Sequence, residues 1–283
     1  AGALAPTFLA SLARQEAADG AVDVAALAAD PAAADQLVGH LHRCLLDTLS
    51  TVSACLALYH SLPLFPSESL HAGTTLAAVA IVTLPADRSF VVCANVGDAR
   101  TLLVCRSGPP LRLSVDHKPG GAEERDAVRS RPGGWTAGRA APRLNGTLGV
   151  SRSLGDLYLA PSISDEPSSV ALEVGGGKVR LVTVDRQDKQ LASQVTSALS
   201  VAPDVTPAAL VLGCDGVFDE LKDEQVAMVV LGAEEERRAE EGDRAQQDGA
   251  DGRSVASRVA RRIRDAAFAA GSDDNISVIV RYL

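Results

Sequence analysis

The sequence predicts an α+β fold of antiparallel sheets flanked by helices, and three observations lead there. Short apolar or alternating segments recur through the middle and end of the chain, helical periodicity marks the N-terminal sixty residues and several later stretches, and regular β-α-β alternation is missing. With 283 residues, 46% of them hydrophobic, the chain can bury a sizeable core, which excludes disordered and fibrous classes.

Residues 1–60 are Ala-rich and helical in pattern, with Pro31 as the break between helices. Within them the apolar run 37–62 is interrupted by His40, His42, Arg43 and Asp47. It therefore predicts an amphipathic helix with Leu37, Leu41, Leu45, Leu49, Val52 and Leu56 along one side, and no membrane span. The period then changes. Residues 74–84, 89–96 and 100–105, separated by turn residues, predict an antiparallel meander. Residues 111–115, 144–151, 170–174, 178–184, 208–214 and 276–283 extend the strand content. Helices are expected over 122–130, 223–231 and 254–270, the last carrying Val255, Val259, Ile263 and Ala267 at helical spacing. The polar stretch 185–207 reads as a surface insertion between strands, and so does 234–253. Residues 234–251 carry eight acids against three bases and read as a solvated loop.

Composition excludes several partners. Aromatics are 3% of the chain, too few to build stacking platforms for single-stranded nucleic acid. A net charge of -9 repels a phosphate backbone or an anionic membrane, so neither is an expected partner. The five cysteines, Cys44, Cys55, Cys93, Cys105 and Cys214, are odd in number, widely spaced and without a C-x-x-C pair. They support neither a disulfide framework nor a zinc site and read as reduced, buried thiols of an intracellular protein, cytoplasmic or nuclear. A monomer is expected. The chain begins at Ala1 with no basic n-region, which predicts a fragment or a processed chain.

Chemistry is expected from aspartates at strand ends. Asp98 follows FVVCANVG, Asp215 follows LVLGC, Asp219 lies four residues further on, and Asp274 precedes the last strand. Each alone has the chemistry of a turn or helix cap. Strand ends of one sheet point into one region, however, and Asp215 and Asp219 at a spacing of four can face one ligand. An all-Asp cluster suits hard divalent cations such as Mg²⁺ and Mn²⁺ and not zinc. LGCDGVF is not an aspartyl-nucleophile turn, because Gly213 stands where that turn needs a second Asp. Gly-x-Ser-x-Gly is absent, and the glycines at 175–177 lack the Lys-Ser/Thr of a phosphate-cradling loop.

Seven segments occur in an order that resembles the metal-dependent type 2C (PPM-type) serine/threonine protein phosphatases. They are AGTTL at 72–76, ANVGDART at 94–101, LSVDHKP at 113–119, RLNGTLGVSRSLGD at 143–156, SDEP at 164–167, LVLGCDGVFDEL at 210–221 and SDDNISVIV at 272–280. The resemblance implies a single domain over 1–283, a four-layer α/β/β/α sandwich of two antiparallel sheets flanked by helices. It also implies two Mn²⁺ or Mg²⁺ ions in the cleft between the sheets and hydrolysis of phosphoserine and phosphothreonine in protein substrates. Asp215 and Asp274 match the family's metal ligands, while Asp98 and Asp219 match those that hold a third, weaker ion together with Asp215. Residues 123–143 fall where the family has its variable flap, and His117 and Arg152 are assigned structural roles.

The departure is at the start of the chain. The family's D-G-H-G-G turn, with its bridging Asp and general-acid His, and its phosphate-binding Arg would lie upstream of Ala1, so no catalytic residue is assigned. With the first strands also upstream, one sheet is expected to expose an edge. The complete protein is expected to hydrolyse with a water activated between two cations about 3.5–4 Å apart, and the chain alone to be inactive or weak. The rival readings are a non-catalytic pseudophosphatase acting as a binding scaffold and, less favoured by the acidic surface, a metal-dependent nuclease.

Overall fold

Strand alternation sorts the core into three apolar layers. The computed structural model describes residues 30–61, 70–84, 88–138, 141–185, 188–201, 205–243 and 255–283, so the helical pattern expected before residue 30 lies outside the described residues. In strand β3 (Arg88–Val96), Phe90, Val92 and Ala94 face one way and Val91 and Cys93 the other, and both sets are buried. The first set meets helix α1 (Pro31–Ser61) through Ala34, Val38, Leu41, Leu45 and Leu49. Asp30 starts that helix, its carboxylate accepting the Ala32 N–H at 2.9 Å, and Pro31 sits at the first helical position, where its missing N–H costs nothing.

β3 lies in an antiparallel sheet with β2 (Leu76–Leu84), β9 (Ser168–Gly175) and β10 (Lys178–Val184), in the order β10-β9-β3-β2. The second sheet has the order β12-β11-β4-β5, from β4 (Arg100–Cys105), β5 (Leu111–Arg112), β11 (Pro207–Gly213) and β12 (Val278–Tyr282). Between the sheets, Val91, Cys93, Val170 and Leu172 pack on Leu103, Cys105 and Leu210. On the far face of the second sheet, Leu102, Val104, Val211 and Val280 bury Val226 and Val230 of one helix and Val259, Ile263 and Ala267 of another. The result is the expected α/β/β/α sandwich. Two-residue strands β1 (Gly73–Thr74) and β8 (Leu154–Gly155) pair at one end of it, and β6 (Thr136–Ala137) pairs with β7 (Arg143–Leu144).

Several local expectations are corrected. Residues 74–105 do not form a meander: β2 and β9 occupy both sides of β3, so the chain crosses to the other sheet through Gly97–Ala99, with Gly97 at φ 92°. The stretch 185–207 is no surface insertion, because it contains helix α3 (Lys189–Val201), whose Leu191 and Val195 are wholly buried in the inter-sheet core. Asp188 caps that helix, accepting the Leu191 N–H at 2.9 Å. Residues 144–151 are mostly turn, since Asn145 and Gly146 both have positive φ, and 111–115 keep only two strand residues. The remaining helices are α2 (Ala122–Ser130), α4 (Asp215–Phe218), α5 (Asp223–Asp243) and α6 (Val255–Ala270). α5 thus runs well past 231 into the acidic stretch, and its Glu234 is buried against Arg106, 2.7 Å away, instead of lying in a solvated loop. Residues 244–254 lie outside the described residues. Of the thiols, Cys44, Cys93 and Cys105 are buried as expected, Cys214 is partly so, and Cys55, on α1, is exposed. No described helix is long and apolar enough to cross a membrane.

Candidate functional site

Strand register brings distant aspartates together. Gly213, the last residue of β11, pairs with Arg100 at the start of β4 on one side and with Val278 at the start of β12 on the other. Asp98 precedes Arg100, Asp215 follows Gly213 and Asp274 precedes Val278, so three loops leave the sheet at the same end. Asp98, Asp215, Asp219 and Asp274 all line one cleft of about 860 Å³.

Each is positioned by a nameable device. Asp98 sits in the sheet-to-sheet crossing and is almost completely buried. Asp215 opens α4, its carboxylate accepting the Gly216 N–H at 2.9 Å, and Asp219 closes the same turn with its own N–H donated to the Asp215 carbonyl at 2.8 Å. Asp274 accepts the Asn275 N–H at 2.6 Å. Gly216 lets the two loops touch: a β-carbon there would lie 2.6 Å from the Asn275 carbonyl oxygen. The Ser272 hydroxyl donates to the Gly216 carbonyl at 2.8 Å and ties the loops again.

The electrostatics are those of crowded negative charge. Burial, and then the charge of Asp215, push the Asp98 carboxyl up to about 6, against the opposing pull of Lys118. The Lys118 ammonium lies 2.5 Å from Asp219 and 3.6 Å from Asp98, bridging the two. Hard oxygen donors on three converging loops fit a divalent cation such as Mg²⁺ or Mn²⁺. Among the described residues, no three acidic, histidine or cysteine side chains already stand close enough together to hold one metal ion.

Sequence reasoning missed the residues that brace this end. Arg100 is buried, donates to Asp116 at 3.1 Å and to Asp223 at 2.6 Å, and lies 4.5 Å over the Phe218 ring, so it fastens both α4 and the start of α5 to β4. A charged residue opening an otherwise apolar strand was the available signal. Lys118 was missed, as were Gly73 and Asp156: the Asp156 carboxylate fills the space a side chain on Gly73 would need and accepts the Ser153 hydroxyl at 2.7 Å. His71, stacked 4.2 Å from Tyr158, also lines the cleft.

His117 and Arg152 sit in the surrounding framework. The buried His117 accepts the Gly97 N–H at 3.0 Å through Nδ1 and meets the Ser168 hydroxyl at 2.7 Å through Nε2, and Ser168 donates in turn to Asp188. Burial holds the imidazole neutral, its pKa pushed down to about 3. Arg152 pairs with the buried Glu124 of α2 at 2.5 Å and donates to the Glu166 carbonyl at 3.1 Å. From the segment 123–143, Arg143 and Pro142 reach the cleft.

Comparison with known proteins adds the following. The family model described as Protein phosphatase 2C matches residues 60–276. Probable protein phosphatase 2C 24 of Arabidopsis thaliana is 30% identical over 193 residues, 67% of this chain and 43% of that protein. Protein phosphatase 2C 77 of the same plant is 30% identical over 233 residues, 79% of this chain and 48% of that protein. The chain thus spans less than half the length of these curated relatives. Among solved structures, a serine-threonine phosphatase 2C from Toxoplasma gondii superposes with a TM-score of 0.66 at 17% identity, over 99% of this chain and 78% of that one, a likeness of fold.

Proposed function

The chain belongs to the protein phosphatase 2C family, and from that premise we propose that its cleft serves the metal-dependent hydrolysis of phosphoserine and phosphothreonine in proteins. The observation that carries this reading is the register of β11 with β4 and β12, which delivers Asp98, Asp215 and Asp274 to one cleft from three loops. Asp215 and Asp274 would hold the more tightly bound Mn²⁺ or Mg²⁺, with Asp98 and Asp219 completing a weaker position beside Asp215. When bound, the metal supplies an activated water and neutralises phosphate charge, with no covalent phosphoenzyme needed.

The chain's own residues do the positioning. Gly216 and Ser272 hold the Asp215 and Asp274 loops in contact, and Arg100 holds α4 down on β4. His117 is neutral and enclosed, so it fixes the Asp98 turn through the Gly97 N–H and takes no proton from substrate. Arg143 and Pro142, at the cleft wall, are placed to meet the protein part of a substrate.

The test is release of phosphate from a phosphothreonine peptide by the 283-residue chain and by a chain extended with whatever coding sequence lies upstream of Ala1, both with Mn²⁺. From the extended chain we expect hydrolysis that chelation abolishes and that Asp215→Asn reduces by roughly a hundredfold or more, since a charged ligand is lost while the shape is kept, and from the 283-residue chain little or none. Asp219→Asn is expected to be milder at high Mn²⁺. A folded, extended chain that binds Mn²⁺ and cleaves no phosphopeptide would replace this reading with that of a binding scaffold.

A further inference from the structure

Lys118 stands where a cation is wanted. Its ammonium bridges Asp219 at 2.5 Å and Asp98 at 3.6 Å, and these two carboxylates share the cleft with Asp215 and Asp274. Its backbone is held firmly. The preceding residue, His117, donates its N–H to the Gly97 carbonyl at 3.1 Å and accepts the Ser151 N–H at 2.8 Å, while the Lys118 N–H reaches the Asp116 carbonyl at 2.8 Å. The side chain beyond is a flexible four-carbon stem, about a third exposed, whose charged end can leave for solvent without moving that anchor.

We propose that Lys118 is a tethered counter-cation that competes with a divalent metal ion for Asp98 and Asp219 and thereby sets the metal concentration at which that position fills. The proposal rests on the reading of the cleft as a metal centre. Two carboxylates bridged by one ammonium retain a net charge of -1 between them, and the Asp215 and Asp274 carboxylates line the same cleft. A dication brings twice the charge to the same oxygens, so exchange is favoured once its concentration covers the cost of stripping its water. In the metal-free protein the ammonium keeps the carboxylates from repelling one another. On binding it swings out, and the energy of the broken ion pairs is subtracted from the metal's affinity. Both charges are partly screened by solvent, which limits the size of the effect.

The experiment is calorimetric titration of Mn²⁺ into the wild-type chain, Lys118→Met, which keeps the length and removes the charge, and Lys118→Arg, which keeps the charge. Each is paired with a thermal melt with and without Mn²⁺. We expect Lys118→Met to bind its weaker Mn²⁺ roughly tenfold or more tightly, and Lys118→Arg to stay within about threefold of wild type. Lys118→Met should melt below wild type without metal, and Mn²⁺ should close or reverse the gap. An unchanged or weakened affinity in Lys118→Met, with its circular dichroism intact, would overturn the proposal. If that variant does not fold, Lys118→Gln takes its place under the same criteria. Phosphopeptide hydrolysis is followed separately. Heats that shift as expected with no hydrolysis even in the extended chain would end the phosphatase reading and leave Lys118 as the competitor, whereas Mn²⁺-dependent hydrolysis with equal affinities would do the reverse.

Discussion

Replacing Gly216 by alanine sets two effects of opposite sign against each other. Gly216 is in α4, where alanine is the better helix former by about 1 kcal/mol at a free position. In this protein, however, the added β-carbon would lie 2.6 Å from the Asn275 oxygen, 3.3 Å from its carbonyl carbon and 3.4 Å from the Asp274 β-carbon. Those neighbours are backbone and a β-carbon, which have no rotamer to turn, so the loop must back away by roughly half an ångström or more. Overpacking of this kind costs about 1–3 kcal/mol. The net expectation is a loss of up to about 2 kcal/mol, read as a lower urea midpoint with an unchanged slope. Because the two loops carry Asp215 and Asp274, Mn²⁺ affinity should fall with it, unlike the result of an overpacked site far from the cleft. A Gly216→Ala chain that is more stable than wild type, as propensity alone would make it, would refute the close approach of α4 and the 274–275 loop.

Arg100→Met should cost about 3 kcal/mol in chemical denaturation, because the largely buried Asp116 loses its bidentate cation and Asp223 is left with Arg112 alone. Leu191→Ala should cost about 2–5 kcal/mol; a loss below 1 kcal/mol would place α3 outside the core. Stability should depend on pH through His117. Between about 6.5 and 3 the unfolded chain binds a proton that the folded imidazole refuses, so stability falls as pH drops through that window, by at most about 1.4 kcal/mol per unit. Asp98 acts with the opposite sign between 3.8 and about 6, holding a proton when folded that the unfolded chain releases, so its contribution is lost as pH rises. The pH profile of wild type minus that of His117→Gln isolates the first term, and a flat difference would contradict it.

Much of the fold was legible because alternation and helical spacing are local. LAAVAIVTL, RSFVVCANV and RTLLVC each announce a strand, yet periodicity says nothing of which sheet a strand joins, and so β4 was read into a meander that the pairing of β9 on β3 forbids. α3 hid behind Lys189, Gln190, Ser193 and Gln194, although Leu191, Val195, Ala198 and Leu199 carry the helical spacing and Asp188 the cap. The four aspartates were visible as strand-end residues and through the family resemblance. Arg100 and Lys118 were not, because their partners Asp223 and Asp219 lie more than a hundred residues away and only the folded sheet makes them neighbours. Gly216 looked like ordinary turn chemistry until the 274–275 loop was seen against it.

The crossing at Gly97–Ala99 also governs the order in which the protein can be built. β2, β3, β9 and β10 are all present once residue 184 has been synthesised, so the first sheet can close early on α1. Beyond its short pairing with β5, β4 must wait for β11, more than a hundred residues later in the chain, and β11 for β12, later still. Loops of that length make such pairings slow to form and leave the apolar strand RTLLVC with only the two-residue β5 beside it in the meantime. Asp98 therefore emerges early and meets Asp215 and Asp274 late, which makes the competence of the cleft a report on the docking of β11 and β12.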